Sequence, residues 1–189
     1  MSIKFETINT LKSMECKILI VGSGGKSTLS NALSNKFHLV RIELDAIHWQ
    51  PNWIELSDNE FKTEVAKQIQ SAKKKWVVDG NYHGIVGDLI MNQANTIIWI
   101  DLNWKTILYR IIKRSIKRAI TKEFVCGTNK ESFKRTFFTK DSIIWFYFAN
   151  KKDITSRTGI FLEKIPENTH LIHIKTTKEL NDFYKTYAL

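Results

Sequence analysis

Five short apolar runs restrict what this chain can fold into: Cys16–Val21, His38–Leu44, Trp76–Asp79, Thr96–Asp101 and His170–Ile174. Each is rich in Ile, Val and Leu, and none alternates cleanly with polar residues. That is the pattern of strands buried on both faces of a parallel sheet. Amphipathic helical stretches fill the intervals. Ser57–Asp58–Asn59–Glu60 has the form of a capping box, after which Phe61, Val65, Ile69 and Ala72 recur on one helical face. Leu108, Ile111, Ile112, Ser115 and Ala119 make a second stripe, opposite Arg110, Lys113, Arg114, Lys117 and Arg118. Parallel strands need long crossovers, so the alternation predicts one α/β domain with helices wrapping a parallel sheet.

Composition narrows the class. With 189 residues, 43% of them hydrophobic and 25% charged, the chain can bury a core and is not disordered throughout. No apolar run approaches the roughly 18–20 residues of a membrane span. The first residues carry neither a long apolar stretch nor a small-residue cleavage site. Cys16 and Cys126 are isolated and read as reduced thiols, not as a disulfide framework or a zinc site. The expectation is a cytoplasmic protein without a membrane partner, with residues 1–15 as an extension ahead of a domain at 16–189. Charge is uneven. Residues 103–158 hold 14 Lys and Arg against 4 Asp and Glu, the whole of the net +10. Such a block suits a phosphate-rich partner, nucleotide or nucleic acid, or is simply a solvated Lys-rich surface.

The segment Gly22–Ser23–Gly24–Gly25–Lys26–Ser27–Thr28 follows the first apolar run and leads into the helical Leu29–Leu33. Strand, glycine turn and helix start are the context of a P-loop, and an ordinary glycine turn would not be expected to carry Lys-Ser-Thr directly after it. Glycines let backbone amides approach phosphate oxygens, and the helix N-terminus adds a partial positive charge. Lys26 would reach the β- and γ-phosphates of ATP or another triphosphate, and the Ser27 hydroxyl would ligate Mg2+. The spacing departs from the pattern. With Gly25-Lys26-Ser27 fixing its end, the first glycine falls at Ile20. Either Ile20 holds that position, or the loop begins at Gly22 and is two residues short.

Around this loop, Ile18–Leu19–Ile20–Val21–Gly22–Ser23–Gly24–Gly25 followed by Lys26–Ser27–Thr28 resembles the adenylate-kinase-like P-loop proteins of the DNA topology modulation family. Matches continue in order. They are Leu44–Trp53 with its two tryptophans, the Asp-Gly-Asn-Tyr motif in Trp76–Tyr82, the fourth strand in Ala94–Leu102, then Gly127–Ser132 and Phe138–Ile143. The resemblance covers about residues 16–150. It departs at the loop, at Gly87 where many relatives have Arg, and at Leu102–Asn103–Trp104 where an aromatic-Pro pair is usual.

The resemblance implies a three-layer P-loop NTPase fold with sheet order 2-3-1-4-5 and a helical lid at about 103–158. It also implies an ATP-dependent phosphotransferase using Mg2+ and a small acceptor, such as a nucleoside monophosphate. Asp79, ending the third strand, would then stand near magnesium or the acceptor; capping the next turn is its plainer role. Asp45 lies at the carboxyl edge, where α/β folds place ligands, and can orient an acceptor hydroxyl or act as its base. His48, Trp49 and Trp53 are either pocket walls or core anchors. Arg110, Arg114 and Arg118 share one helix face. In small P-loop kinases such arginines, with Arg135 from the lid, stabilise the transferring phosphoryl group. Two other readings stand beside this one. Phe133, Phe137, Phe138, Trp145, Phe146, Tyr147 and Phe148 within the basic block can form a nucleic-acid surface. A degenerate loop can also bind nucleotide without transferring phosphate.

Overall fold

A computed structural model describes residues 14–121, 124–125, 129–130 and 143–189. Its centre is a five-stranded, all-parallel sheet of β1 (Cys16–Ser23), β2 (Val40–Glu43), β5 (Lys75–Asp79), β6 (Thr96–Asp101) and β9 (His170–Ile174), in the order β2-β5-β1-β6-β9. Four further strands of two residues each form separate antiparallel ladders. They are β3 (Trp49–Gln50) with β4 (Ile54–Glu55), and β7 (Phe124–Val125) with β8 (Asn129–Lys130). The sequence shows none of these four, since two residues leave no periodicity. They change the expected order string: numbered over the nine strands of the described residues, the sheet runs 2-5-1-6-9 and not 2-3-1-4-5. Taken alone in chain order, the sheet's own strands lie second, third, first, fourth, fifth.

The helices are α1 (Lys26–Phe37), α2 (Leu44–His48), α3 (Asp58–Ala72), α4 (Asp88–Met91), α5 (Trp104–Thr121), α6 (Ile143–Leu162) and α7 (Thr177–Tyr187). They cover both sheet faces, which is why the strands do not alternate in polarity. Along β1, Ile18 and Ile20 point to one face with Leu29 and Leu33 of α1 and Leu180 and Phe183 of α7. Leu19 and Val21 point to the other, against Phe61, Val65 and Ile69 of α3 and Phe161 and Leu162 of α6. The capping box on α3 forms, with Glu60 N–H donating to Ser57 Oγ and Ser57 N–H to Glu60 Oε2. Thr176 and Glu179 make a second one on α7.

Two boundaries move from the sequence reading, and both matter to the site. The strand expected at His38–Leu44 is shorter. His38 closes α1 in a left-handed conformation (φ 53°), and Leu44 and Asp45 open α2. The first strand is longer, continuing to Ser23 in register with Asp101. On α5, burial centres on Ile107 and Ser115, with Leu108, Ile111 and Ile112 half-buried. Cys16 is buried, which pushes its thiol up to about 11 and keeps it protonated at neutral pH; Cys126 lies outside the described residues. No helix among the described residues is long and apolar enough to cross a membrane.

Candidate functional site

The site forms where β1 ends. Ile20 sits in mid-strand, fully buried, in register with Asp79 on one side and Ile98 on the other. It therefore holds no turn position, and the glycine segment is two residues short of the full spacing. Gly22 (φ 96°) is still paired to β6, opposite Ile100. The Asn81 side chain then acts like one more residue of a neighbouring strand. Gly22 N–H donates to Asn81 Oδ1 (2.9 Å), and Asn81 Nδ2 donates to Gly22 O (2.8 Å). Only Gly24 (φ 88°) and Gly25 (φ 158°) remain to turn the chain before α1 starts at Lys26.

That helix start is bare. Gly25 offers no side-chain cap, and only Leu29 N–H folds back, to Gly25 O (3.0 Å). Among the described residues nothing accepts from the amides of Lys26, Ser27 or Thr28. These orphan donors and the helix dipole make a partial positive charge open to an anion. Lys26 Nζ donates to Gly22 O (2.8 Å). Burial holds its ammonium below the ordinary range, Asp45 and Asp79 oppose that fall, and Arg114 adds to it. Arg110 reaches from α5 and donates to Gly24 O.

Behind the turn stands Asp79, 2% exposed. Ser27 Oγ donates to its Oδ1 (3.0 Å), Ser30 Oγ donates to its Oδ2, and Arg41 lies 3.5 Å from that second oxygen. Arg41 also donates to Ser30 Oγ (2.8 Å) and pairs with Glu43 (3.0 Å). Burial raises the Glu43 carboxyl, and Arg41 works against it. Neither Arg41 nor Glu43 was read as a site residue. Both are strand residues on β2, and only the pairing of β2 with β5 brings them to Asp79.

Asp45, in the first turn of α2, accepts from the Tyr82 hydroxyl (2.8 Å). Beside it His48 is buried, with ring centroids 4.9 Å from Tyr82, 5.1 Å from Trp49 and 5.2 Å from Phe61. Trp49 meets Trp53 edge-on at 5.7 Å. The turn between them holds Asn52 and Trp53 at positive φ (64° and 62°). Asn129 fastens it, donating to Gln50 O and accepting from Trp53 N–H, both at 3.0 Å. The tryptophans are half-buried, so they form part of a wall and not a closed core. Gly87, the departure from Arg, has a packing reason: a Cβ there would lie 2.7 Å from the buried Phe161 ring.

On the other side of β1 a small open cleft is lined by Ser23, Trp99, Asp101, Tyr147 and Thr158, among others. Asp101 bonds His173 (3.2 Å), whose ring stacks on Trp99 at 3.8 Å. His83 adjoins this region, stacked on Phe161 at 4.3 Å and bonded to Thr158 Oγ1 (3.2 Å). Burial, with the Lys26 charge second, lowers its imidazole from 6.5 to about 4. Folded His83 is therefore neutral where the unfolded chain takes up a proton. Stability is expected to fall as pH drops from 6.5 to 4, by at most about 3 kcal/mol and less for a partly exposed ring. Urea melts across that window should show a shallower slope in His83→Gln; an unchanged slope would assign the effect to another group.

Of the residues expected at the site, Gly22, Ser23, Gly24, Gly25, Lys26, Ser27, Thr28, Asp79 and Arg110 gather around the turn. The charges of Asp45 and Arg114 both reach Lys26. Arg118 is felt at Glu43 instead, and Arg135 lies outside the described residues. Among the described residues no group of three or more His, Cys, Asp or Glu is placed to hold a metal ion.

No family model matches the chain, and no curated protein matches its sequence. It is similar to a crystal structure of an uncharacterized protein from Eubacterium ventriosum ATCC 27560, at 13% identity and a TM-score of 0.47, covering 92% of this chain and 97% of that one.

Proposed function

We propose that this chain is a P-loop kinase-like protein that binds a nucleoside triphosphate, ATP or another, at the Gly22–Thr28 segment and transfers its terminal phosphoryl group to a small acceptor. One observation carries the reading. An uncapped helix N-terminus, Lys26, Arg110 and the Ser27–Asp79 pair converge at the carboxyl edge of the sheet's central strand. Three orphan amides and two cations in one place suit a phosphate group and little else.

Mg2+ fits the residues present. Ser27 Oγ and Asp79 Oδ1 are hard oxygen donors 3.0 Å apart beside the turn, and Mg2+ is commonly held by one or two such groups with waters completing the shell. When bound, the ion would neutralise charge on the phosphates. The chain's own residues do the rest. Lys26 leaves Gly22 O for a phosphate oxygen, whose negative charge offsets the cost of burying the ammonium. Asp45, oriented by Tyr82, accepts the proton of the acceptor hydroxyl as the new P–O bond forms and the bond to the leaving diphosphate breaks. Arg110 and Arg114 stabilise the transferring group. The half-buried Trp49 and Trp53 would wall the acceptor side.

ATP with magnesium at about 100 times its Kd should add about 2.7 kcal/mol. For a domain of this size that raises the melting temperature by about 5–10 °C. Lys26→Ala should abolish the shift. A native protein that shows neither a shift nor turnover with any acceptor would end this reading, and a shift without turnover would leave a nucleotide-binding protein.

A second reading, association with nucleic acid, is favoured by the basic helix α5. It exposes Tyr109 (64%), Ile116 and Ile120, and Lys105 lies over the Trp104 ring. Tyr147 is buried and does not belong to such a surface; Phe133, Phe137 and Phe138 lie outside the described residues. Salt-dependent DNA binding that survives Lys26→Ala would favour this reading.

A further inference from the structure

We infer that Asn81 is a positioning residue for Lys26: by holding the main chain of Gly22, it lets the ammonium leave the Gly22 carbonyl for a phosphate oxygen. The inference deepens the phosphate-binding reading above and rests on it. It starts from the sheet. Ile20 O accepts from Gly80 N–H (3.3 Å), so Ile20 and, two residues on, Gly22 turn their main-chain groups toward β5. But β5 ends at Asp79, and no strand meets Gly22 on that side. The Asn81 side chain takes the vacant place. It accepts from Gly22 N–H through Oδ1 (2.9 Å) and donates back to Gly22 O through Nδ2 (2.8 Å).

Gly22 O has a second donor, Lys26 Nζ, at 2.8 Å. A carbonyl oxygen has two lone pairs and can accept both. The two donors differ in their freedom. The Asn81 amide is tied through both its ends to one residue, whereas the Lys26 ammonium sits on a flexible stem. When Lys26 swings to a ligand oxygen, Gly22 O keeps Asn81. Gly22 is buried, so without Asn81 the same swing would leave a buried carbonyl with no donor. That is costly, and Lys26 would stay on Gly22 O with the ligand competing against the bond. Asn81 therefore acts on the ligand through Lys26 and needs no contact with it.

The test joins a double-mutant cycle on stability to a titration of the whole chain with ATP and magnesium. In the cycle, Asn81→Ala should lower the urea midpoint more in a Lys26→Met background than in the native one, because only there does it leave Gly22 O with no donor. A role confined to bracing the turn would cost the same in both backgrounds, and additive losses would overturn the inference. In the titration, Asn81→Ala should bind ATP-magnesium about 5- to 100-fold more weakly than the native chain, the range set by one orphaned buried acceptor. An unchanged affinity would overturn the inference and leave the phosphate-binding reading standing. A native chain that binds no ATP-magnesium would overturn both. If Asn81→Ala does not fold, nuclear magnetic resonance on the native chain decides. The Asn81 side-chain amide should stay protected from hydrogen exchange at saturating ATP-magnesium while the Lys26 ammonium signal moves; loss of that protection would overturn the inference.

Discussion

Adding one methyl group at Gly22 is expected to cost this protein about 3–5 kcal/mol, a large share of a typical domain's stability. Two penalties combine. The residue sits at φ 96°, where an L side chain is strained, by about 1 kcal/mol or more. Its Cβ would also lie 2.1 Å from Ile100 O and 3.0 Å from the Trp99 ring. The nearest atom is strand backbone, so relief requires parting β1 from β6, and overpacking of that kind costs roughly 1–3 kcal/mol or more. Gly22→Ala should lower the melting temperature by about 10 °C. Gly84→Ala is the control, since a Cβ at Gly84 meets nothing within 4 Å. Equal melting of the two variants would show that the close approach of β1 and β6 is not enforced in solution.

Asp79→Asn should be similarly damaging, for an electrostatic reason. The carboxylate is 2% exposed, accepts from Ser27 and Ser30, and faces Arg41 and the Lys26 charge. Removing one partner of a buried charge pair typically costs about 3–5 kcal/mol, because the other charge is left without compensation. The lower end is expected here, since Arg41 keeps Glu43 at 3.0 Å. An amide would also aim two donors at groups that now donate. Denaturant melts should show the loss. If Asp79→Asn unfolds at the native midpoint, this cluster contributes nothing to stability. The same substitution should remove the ATP-magnesium shift, because Ser27 would lose its carboxylate partner.

The candidate site was partly legible in the residues. Gly24, Gly25, Lys26 and Ser27 announce themselves because the whole turn lies within a few consecutive positions. Asp79 was visible as the acidic end of an apolar run. Asn81 was seen only as part of a motif, and its hold on Gly22 was not, since the two are 59 residues apart and meet only when β5 pairs with β1. Asn129 and Trp53 are 76 apart, and His173 and Asp101 are 72 apart. Periodicity carries no signal for a contact between a side chain and a distant backbone group.

The sequence by itself determined the α/β class, the sheet's five strands and the place of the glycine turn. Those follow from local causes: strands buried on both faces must be apolar throughout, helices must be amphipathic and capped, and a strand-to-helix turn with positive φ calls for glycine. Tertiary structure alone decided how the turn is built. Ile20 could have been its first residue or a strand residue, and pairing with β5 and β6 made it strand. The ladder to Ser23 and the two bonds from Asn81 then shortened the turn to Gly24 and Gly25. Hydrogen bonds between segments far apart in the chain set that length, so no window of residues around Gly22 contains it.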